Sequence, residues 1–276
     1  MKLYDMHVHS HNSHDGRVSC KTMADEAIKR NLSGICFTDH YDCGRYPNAE
    51  VPEHIFNSVT EVKETSKLYG DEFEILSGIE FGDYLFGKEI GLKCLEKLSF
   101  DYILCSTHSA EIGKTLFNNF TNFRDFAHLS EDELYLFLEK YFECILNTIT
   151  DKQIDYDGLA HLTYPLRYIV AINKKEIDIS KYDAIITEIL KNLIKDHKCL
   201  EINTSCLATE WKYTMPDNDI LKKYYDLGGR LITIGSDSHF TERLGLGFSE
   251  TLESVKKIGF ENYYIYKERK PVAISL

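Results

Sequence analysis

Short runs rich in β-branched and aromatic residues alternate along the chain with longer stretches whose apolar residues recur at helical spacing. The strand-like runs cover 3–9, 34–40, 74–80, 102–108, 156–161, 199–204 and 231–237, and helical stretches between and after them include 21–30, 53–69, 131–149, 182–196, 218–227 and 250–258. Ser130 with Glu133 three residues on reads as a capping box, and Gly70 stands where a helix C-terminus calls for glycine. Alternating strand and helix predicts a parallel sheet with right-handed crossovers, either an open doubly wound sheet or a closed α/β barrel.

The polar residues decide between these. Nearly every strand-like run ends in ionisable residues: His7 and His9, Asp39-His40, Glu80, His108, His161, then Asp237 and His239. An open sheet gathers its site at one switch point, whereas a barrel converges all its carboxyl ends on one mouth, so a seven-stranded barrel is expected. Gly245-Leu246-Gly247 lacks the third glycine of a nucleotide-binding fingerprint and reads as a turn. The five prolines are scattered and no Gly/Ser-rich linker divides the chain, so one domain over 1–276 is expected. Two connections, 41–52 and 111–129, are long, and the aromatic, amide-rich part of the second suits either a lid or a loop packed on the rim.

Charge narrows the partners. With 32 Lys plus Arg against 44 Asp plus Glu, the 276 residues carry a formal net charge of −12, which disfavours nucleic acid as a primary partner. The apolar runs are too short to span a membrane, and the start, running at once into His7, leaves no room for a signal peptide. A cytoplasmic protein is expected. Its eight cysteines show no C-x-x-C pair and several sit in apolar runs, as free buried thiols do. His54, His128 and His197 fall at the ends of helical stretches and read as surface or capping residues. The run 262–267 is β-like and is expected to pack under the barrel.

His7 and His9, two apart on a strand, direct both imidazoles to one face, which is metal-chelating geometry. Two histidines at this spacing arise by chance; the repetition of His, Asp and Glu at the same strand-end station does not, and it points to a metal cluster.

The ordered set His7-Val8-His9, then Asp15, Phe37-Thr38-Asp39-His40, Gly78-Ile79-Glu80, Ser106-Thr107-His108-Ser109, Gly158-Leu159-Ala160-His161 and Gly235-Ser236-Asp237-Ser238-His239 resembles the PHP (polymerase and histidinol phosphatase) superfamily from Asp5 to His239. The length and the run from His161 to Tyr168 resemble its monofunctional histidinol-phosphate phosphatases. The resemblance implies a distorted seven-stranded TIM-like barrel of α/β class, three divalent metals, and hydrolysis of L-histidinol phosphate to L-histidinol and phosphate in histidine biosynthesis. It implies that His7, His9, Glu80 and Asp237 hold one metal, Glu80 with His108 and His161 a second, and Asp15, His40 and His239 the third. His11 and His14 lie near Asp15 and compete with it only as outlying candidates. Thr163 departs from the Asp that the superfamily often carries there.

Three divalent ions against three carboxylates leave a charge that a phosphate monoester dianion and one hydroxide neutralise, which favours a small phosphomonoester over a diester. Six imidazoles with three carboxylates suit zinc, iron or manganese. Arg167, six residues past His161, is expected to clamp the phosphate, and Glu111 to contact the substrate's imidazole or ammonium. The leaving alkoxide needs a proton, for which Asp237, His239 and a metal-held water are the candidates. The alternative reading is a phosphoesterase of the same superfamily acting on another phosphate ester or on nucleotides.

Overall fold

The computed structural model describes residues 2–46, 50–112, 115–118 and 123–276, with side chains described throughout these ranges except at 111, 112, 115–118 and 123–125. The strands are β1 (Tyr4–Val8), β2 (Gly34–Phe37), β3 (His40–Asp42), β4 (Glu74–Gly82), β5 (Tyr102–Ser106), β6 (Ser109–Ile112), β7 (Thr115–Asn118), β8 (Gly158–Leu159), β9 (Cys199–Asn203), β10 (Ile232–Gly235), β11 (Asn262–Lys267) and β12 (Lys270–Ser275). The α-helices are α1 (Cys20–Lys29), α2 (Glu53–Tyr69), α3 (Lys88–Lys97), α4 (Glu131–Thr150), α5 (Asp183–Lys195), α6 (Asn218–Asp226) and α7 (Phe248–Ile258).

Parallel pairing runs in the order β1-β2-β4-β5-β8-β9-β10. The two ends of this sheet meet: the Asp237 amide donates to the His7 carbonyl and the His9 amide to the Ser238 carbonyl, each at 2.9 Å. The result is the expected seven-stranded barrel. β1, β2, β5, β9 and β10 are buried at every residue, as parallel strands covered by helices outside and by packed side chains inside must be. The helices bury one stripe each; α5 does so through Ile186, Ile189, Leu190 and Leu193, at spacings of three and four. The expected caps are in place: Ser130 and Glu133 form a reciprocal capping box, and Gly70 closes α2 at φ 53°.

Differences from the expected pattern lie where the chain serves the mouth. The run 34–40 is one strand interrupted at Thr38 and Asp39, after which β3 resumes pairing with β4, His40 opposite Glu80. β8 is short, although the Asp157 and Ala160 amides extend its ladder to β5 carbonyls at 2.8 and 2.9 Å; beyond it His161, at φ 20°, turns the chain out of the sheet. α3 buries only Gly91 and Cys94, too weak a stripe to stand out in the sequence. Segment 111–129 contributes to the antiparallel β6–β7 hairpin and a turn whose Phe126 packs edge-on against Phe137 with ring centroids 5.0 Å apart. The aromatic run expected as a lid or rim packing lies outside the described side chains. All eight cysteines are free, and seven are buried. Among the described residues no helix is long and apolar enough to cross a membrane.

The β11–β12 hairpin packs beneath the barrel as expected. Tyr263 accepts from the Tyr4 amide (3.1 Å) and donates to the Lys2 carbonyl (2.8 Å), and Tyr266 stacks on Tyr102 with centroids 5.0 Å apart. Its two-residue turn, Glu268-Arg269, holds both residues at positive φ without a glycine. Asp101 compensates by accepting both turn amides, Glu268 on its carboxylate at 2.9 Å and Arg269 on its carbonyl at 3.0 Å. Arg269 also donates through Nε to the buried Asp157 carboxylate at 2.5 Å.

Arg269→Ala strips the Asp157 carboxylate of that counter-charge. It should lower stability by about 1–3 kcal/mol, read from the urea midpoint, with activity per folded molecule retained because the hairpin lies at the end of the barrel away from the histidines. An unchanged midpoint would show that the hairpin is held by its aromatic contacts alone.

Candidate metal centre

At the carboxyl ends of the strands His7 and His9 emerge from β1, Glu80 from β4, His40 from β3 and His108 from beyond β5, while His161, Asp237 and His239 follow β8 and β10. Glu80 is the centre, fully buried. One of its oxygens, Oε1, lies 2.9 Å from both His108 Nε2 and His161 Nε2; the other, Oε2, lies 3.3 Å from His7 Nε2 and 3.4 Å from His9 Nε2. Asp237 Oδ1 closes the first group at 3.7 and 3.4 Å from the same two rings. On the open side His239 Nε2 is 3.0 Å, and His40 Nε2 3.7 Å, from the Asp15 carboxylate. The structure thus brings all nine expected residues to one place.

Their grouping differs in one respect. His40 Nδ1 also faces Glu80 Oε2 at 2.8 Å, so this ring touches the central carboxylate as well as Asp15. The cause is register: His40 and Glu80 are direct partners on neighbouring strands, which puts their side chains on one face. Accordingly both His9, His40, His239 and His40, Glu80, His108 form triads of converging donor atoms.

The outer nitrogens explain why the inner ones converge. His7 Nδ1 donates to Glu201 Oε1 at 2.6 Å, His9 Nδ1 to Ser13 Oγ at 3.0 Å, His108 Nδ1 to Asp42 Oδ1 at 2.9 Å and His239 Nδ1 to the Asp237 carbonyl at 3.1 Å. A ring whose Nδ1–H is engaged outward offers Nε2 inward. His7 and His9 thereby present Nε2 atoms 3.0 Å apart, and His108 and His161 at 3.4 Å, contacts that two lone pairs tolerate only around a shared proton or cation.

Electrostatics make the same demand. Burial alone would raise the Glu80 pKa, but His40, His108 and His7 outweigh it and hold the carboxylate well below its ordinary value. Asp237 is lowered against burial by His7, His9 and Arg167, and Asp15 by His239 and His40. In turn, His7 and His108 are pushed well up against burial by the surrounding carboxylates, and His40 to about 9, chiefly by Glu80. Three ionised carboxylates in a buried site collect positive charge, and imidazole nitrogens mixed with carboxylate oxygens are the donor set of transition metals. The residues therefore fit divalent metal ions.

Several residues that hold the centre escaped the sequence reading. Glu201 accepts from His7 through one oxygen and from the His161 amide through the other at 2.8 Å, tying two ligand candidates together. Gly235 leaves room for it, since a Cβ there would lie 2.4 Å from the His7 Cβ and 2.6 Å from Glu201 Oε1. Asp83 accepts the His108 and Ser109 amides, each at 2.8 Å. Burial pushes its pKa up to about 6, as it does that of Asp5, which accepts the Ser236 and Gly245 amides. At Asp83 the neighbouring Asp42 adds to the rise and His108 opposes it without outweighing burial.

Some expectations need correction. Asp39 was grouped with His40 at the mouth, but successive residues of an extended chain point oppositely, and its carboxylate turns away to accept from the Ser10 amide (2.7 Å) and from the hydroxyls of Ser10, Ser13 and Ser58. It anchors the loop that carries Asp15. His54 is no simple surface residue, because its Nε2 donates to the His40 carbonyl at 3.1 Å. His11 hydrogen-bonds to Glu61 at 2.7 Å, away from the cluster, whereas His14 lies beside His40 with ring centroids 5.1 Å apart. The Glu111 side chain lies outside the described residues.

Above the cluster opens a cleft of about 530 Å³ whose wall includes Tyr164, Arg167, Tyr168, Ile172 and Phe240. Arg167, largely buried, reaches Asp237 Oδ2 through Nη1 at 3.4 Å. It begins a π-helical turn, Arg167–Ile172.

Comparison with known proteins adds three findings. The PHP domain family model matches residues 5–205. The chain is 32% identical over 274 residues to a probable histidinol-phosphatase of Thermotoga maritima, covering 99% of this chain and 100% of that protein. It is 30% identical over 271 residues to the histidinol-phosphatase of Lactococcus lactis, covering 98% and 96% respectively. A crystal structure of histidinol phosphate phosphatase from Lactococcus lactis complexed with zinc, L-histidinol and phosphate superposes with a TM-score of 0.82 at 29% identity, covering 98% of this chain and 99% of that one.

Glu201→Gln replaces one of two accepting oxygens by a donor, so either His7 Nδ1–H or the His161 amide loses its partner. Zinc affinity, measured by competition with a chelator, should fall about 10- to 100-fold with the fold intact. Wild-type affinity would show that Glu201 supports only the strand and not the imidazole.

Proposed function

The chain belongs to the PHP domain family, and from that premise we propose that it hydrolyses L-histidinol phosphate to L-histidinol and phosphate, a step of histidine biosynthesis, with divalent metal ions. The observation that carries the proposal is the convergence of six imidazoles and three ionised carboxylates at the barrel mouth, in a chain that matches histidinol-phosphatases over nearly its whole length. In this reading His7, His9, Glu80 and Asp237 hold one ion, Glu80 bridges to a second with His108 and His161, and Asp15, His40 and His239 hold a third. Zinc is supported by the zinc-bound relative, and the donor set also suits iron or manganese. Divalent ions held there supply Lewis acidity toward the phosphoryl oxygens and a water nucleophilic at neutral pH.

The chain's own groups do the rest. Arg167 sits on the cleft wall with its charge partly answered by Asp237, and turning its fork toward a phosphate dianion gives two parallel charge-assisted bonds in place of one long contact. The departing alkoxide takes a proton, for which His239, Asp237 and a metal-held water stand as the candidate carriers in this reading. The scaffold carboxylates Glu201 and Asp42 keep the His7 and His108 rings from turning as charge redistributes, and Asp83 fixes the backbone that carries His108. Glu111 as a contact for the substrate's cationic half remains part of the proposal. So do action as one unit over 1–276, a cytoplasmic setting, which the eight free thiols support, and a small monoester rather than nucleic acid as partner, which the net charge of −12 supports.

Purified protein with quantified metal should release phosphate from L-histidinol phosphate in preference to an aryl phosphate or a nucleotide monophosphate, and a chelator should abolish the activity. Absence of metal-dependent release from L-histidinol phosphate sinks the proposal. Glu80→Ala should lose both bound metal and turnover by more than about tenfold, since it removes a bridging ligand; full metal content and activity would exclude the assignment. Arg167→Ala and Arg167→Lys should both keep the metals while raising KM for L-histidinol phosphate more than they lower kcat, because lysine cannot copy the planar fork. Wild-type kcat/KM in Arg167→Ala would leave that arginine a salt-bridge partner only.

A further inference from the structure

The cleft above the cluster has two ends of opposite character. Its floor is charged, and its outer wall carries two large apolar side chains, Ile172 at 53% and Phe240 at 44% exposure. Only five large hydrophobic side chains among the described residues are exposed by 44% or more, and these two share one cleft. An exposed apolar pair on the wall of an otherwise polar pocket is a recognition feature rather than leftover packing.

Both are put there by specific backbone devices. In an α-helix residues five apart diverge by about 140° around the axis, whereas the i→i+5 repeat of a π-helix brings them back to one face. The π-turn Arg167–Ile172, whose register is carried on by the Asn173 amide donating to the Tyr168 carbonyl at 3.0 Å, therefore sets Ile172 on the same wall as Arg167. Phe240 follows His239 directly. Its carbonyl accepts from Ser238 Oγ at 2.5 Å and from the Arg243 amide at 3.3 Å, so the backbone is fixed from two sides while the ring faces open space.

We infer that Phe240 and Ile172 form the platform that receives the alcohol half of the substrate, with the Phe240 ring stacking on the planar ring of the leaving group, and that this pair selects ring-bearing alcohols over aliphatic polyols. The inference rests on the histidinol-phosphatase reading. A phosphate held between the cluster and Arg167 leaves the rest of the ester in the outer cleft, and imidazole is flat, aromatic and small enough to lie on a phenyl face. Such aromatic pairs prefer offset stacking, which an aliphatic chain cannot reproduce.

The test uses metal-loaded full-length protein, with metal content confirmed equal to wild type, and two substrates, L-histidinol phosphate and glycerol phosphate. In Phe240→Ala the ratio of kcat/KM for the first over the second should fall about three- to tenfold. The inhibition constant of the product L-histidinol should rise by a similar factor, and that of inorganic phosphate should stay within about twofold. Phe240→Tyr, which keeps the ring, should restore the ratio, and Ile172→Ala should lower it less than Phe240→Ala. A ratio unchanged in Phe240→Ala, or a rise in both inhibition constants together, overturns the inference while leaving histidinol phosphate hydrolysis standing. Wild-type protein that neither cleaves L-histidinol phosphate nor binds L-histidinol overturns both.

Discussion

Three ionised carboxylates and six imidazoles converge on one site, buried except at Asp15 and His239, because most of the rings are tethered from behind. A charge taken from water at that depth is tolerated only when it is paired and its remaining valences are satisfied. Here Glu201, Ser13, Asp42 and the Asp237 carbonyl take the outward N–H of four imidazoles, and Glu80 draws the inward atoms together. Remove the tethers and the rings can rotate to satisfy themselves singly, at which point the centre ceases to be a common binding site. The local backbone yields to the same requirement: Asp237 sits at φ 53° and His161 at φ 20°. Side chains other than glycine's adopt such values at a cost of order 1–3 kcal/mol, which surrounding bonds offset.

The barrel is what makes so many tethers available. Parallel strands end together at one mouth, so each donor has a neighbour on either side whose next residue can brace it. Glu201 on β9 reaches both His7 on β1 and the turn after β8. Asp42 on β3 braces His108 after β5, across the glycine at position 82, where a Cβ would stand 2.2 Å from Asp42 Oδ1. The loop bearing Asp15 is pinned by Asp39 in the same manner. Opposite the mouth, the β11–β12 hairpin closes the floor with aromatic rings and an arginine, leaving the chemistry to one end.

Much of this was legible from spacing. Period and punctuation located the strands and most helices, and the recurrence of His, Asp and Glu at strand ends located eight of the nine central residues; Asp15, in a loop, followed only from the resemblance to the PHP superfamily. What stayed hidden has physical reasons. Glu201 and Asp42 act through contacts between strands distant in sequence, and a carboxylate within a strand announces only that it must be paired, not with what. Glu201 did carry a signal of that kind, since it interrupts the otherwise apolar start of β9. Asp39 misled because two adjacent polar residues at a strand end point to opposite sides, and which side faces the mouth depends on the local break in β2. α3 was faint because its buried stripe amounts to a glycine and a cysteine.

The barrel closes where β1 meets β10, and His7 and Asp237 stand on either side of that closure, joined by a backbone bond and by a shared place in the cluster. The two residues are separated by most of the chain, so on the ribosome the first histidines emerge long before the carboxylate that completes their group. A nascent or partly folded chain thus carries exposed imidazoles but no hydrolytic centre, and it gains one only with correct topology. Any cation seated between them also fastens the first strand to the last. Ion uptake then acts as a latch on the seam, adding to the stability of the finished barrel by mass action and giving nothing to an open one.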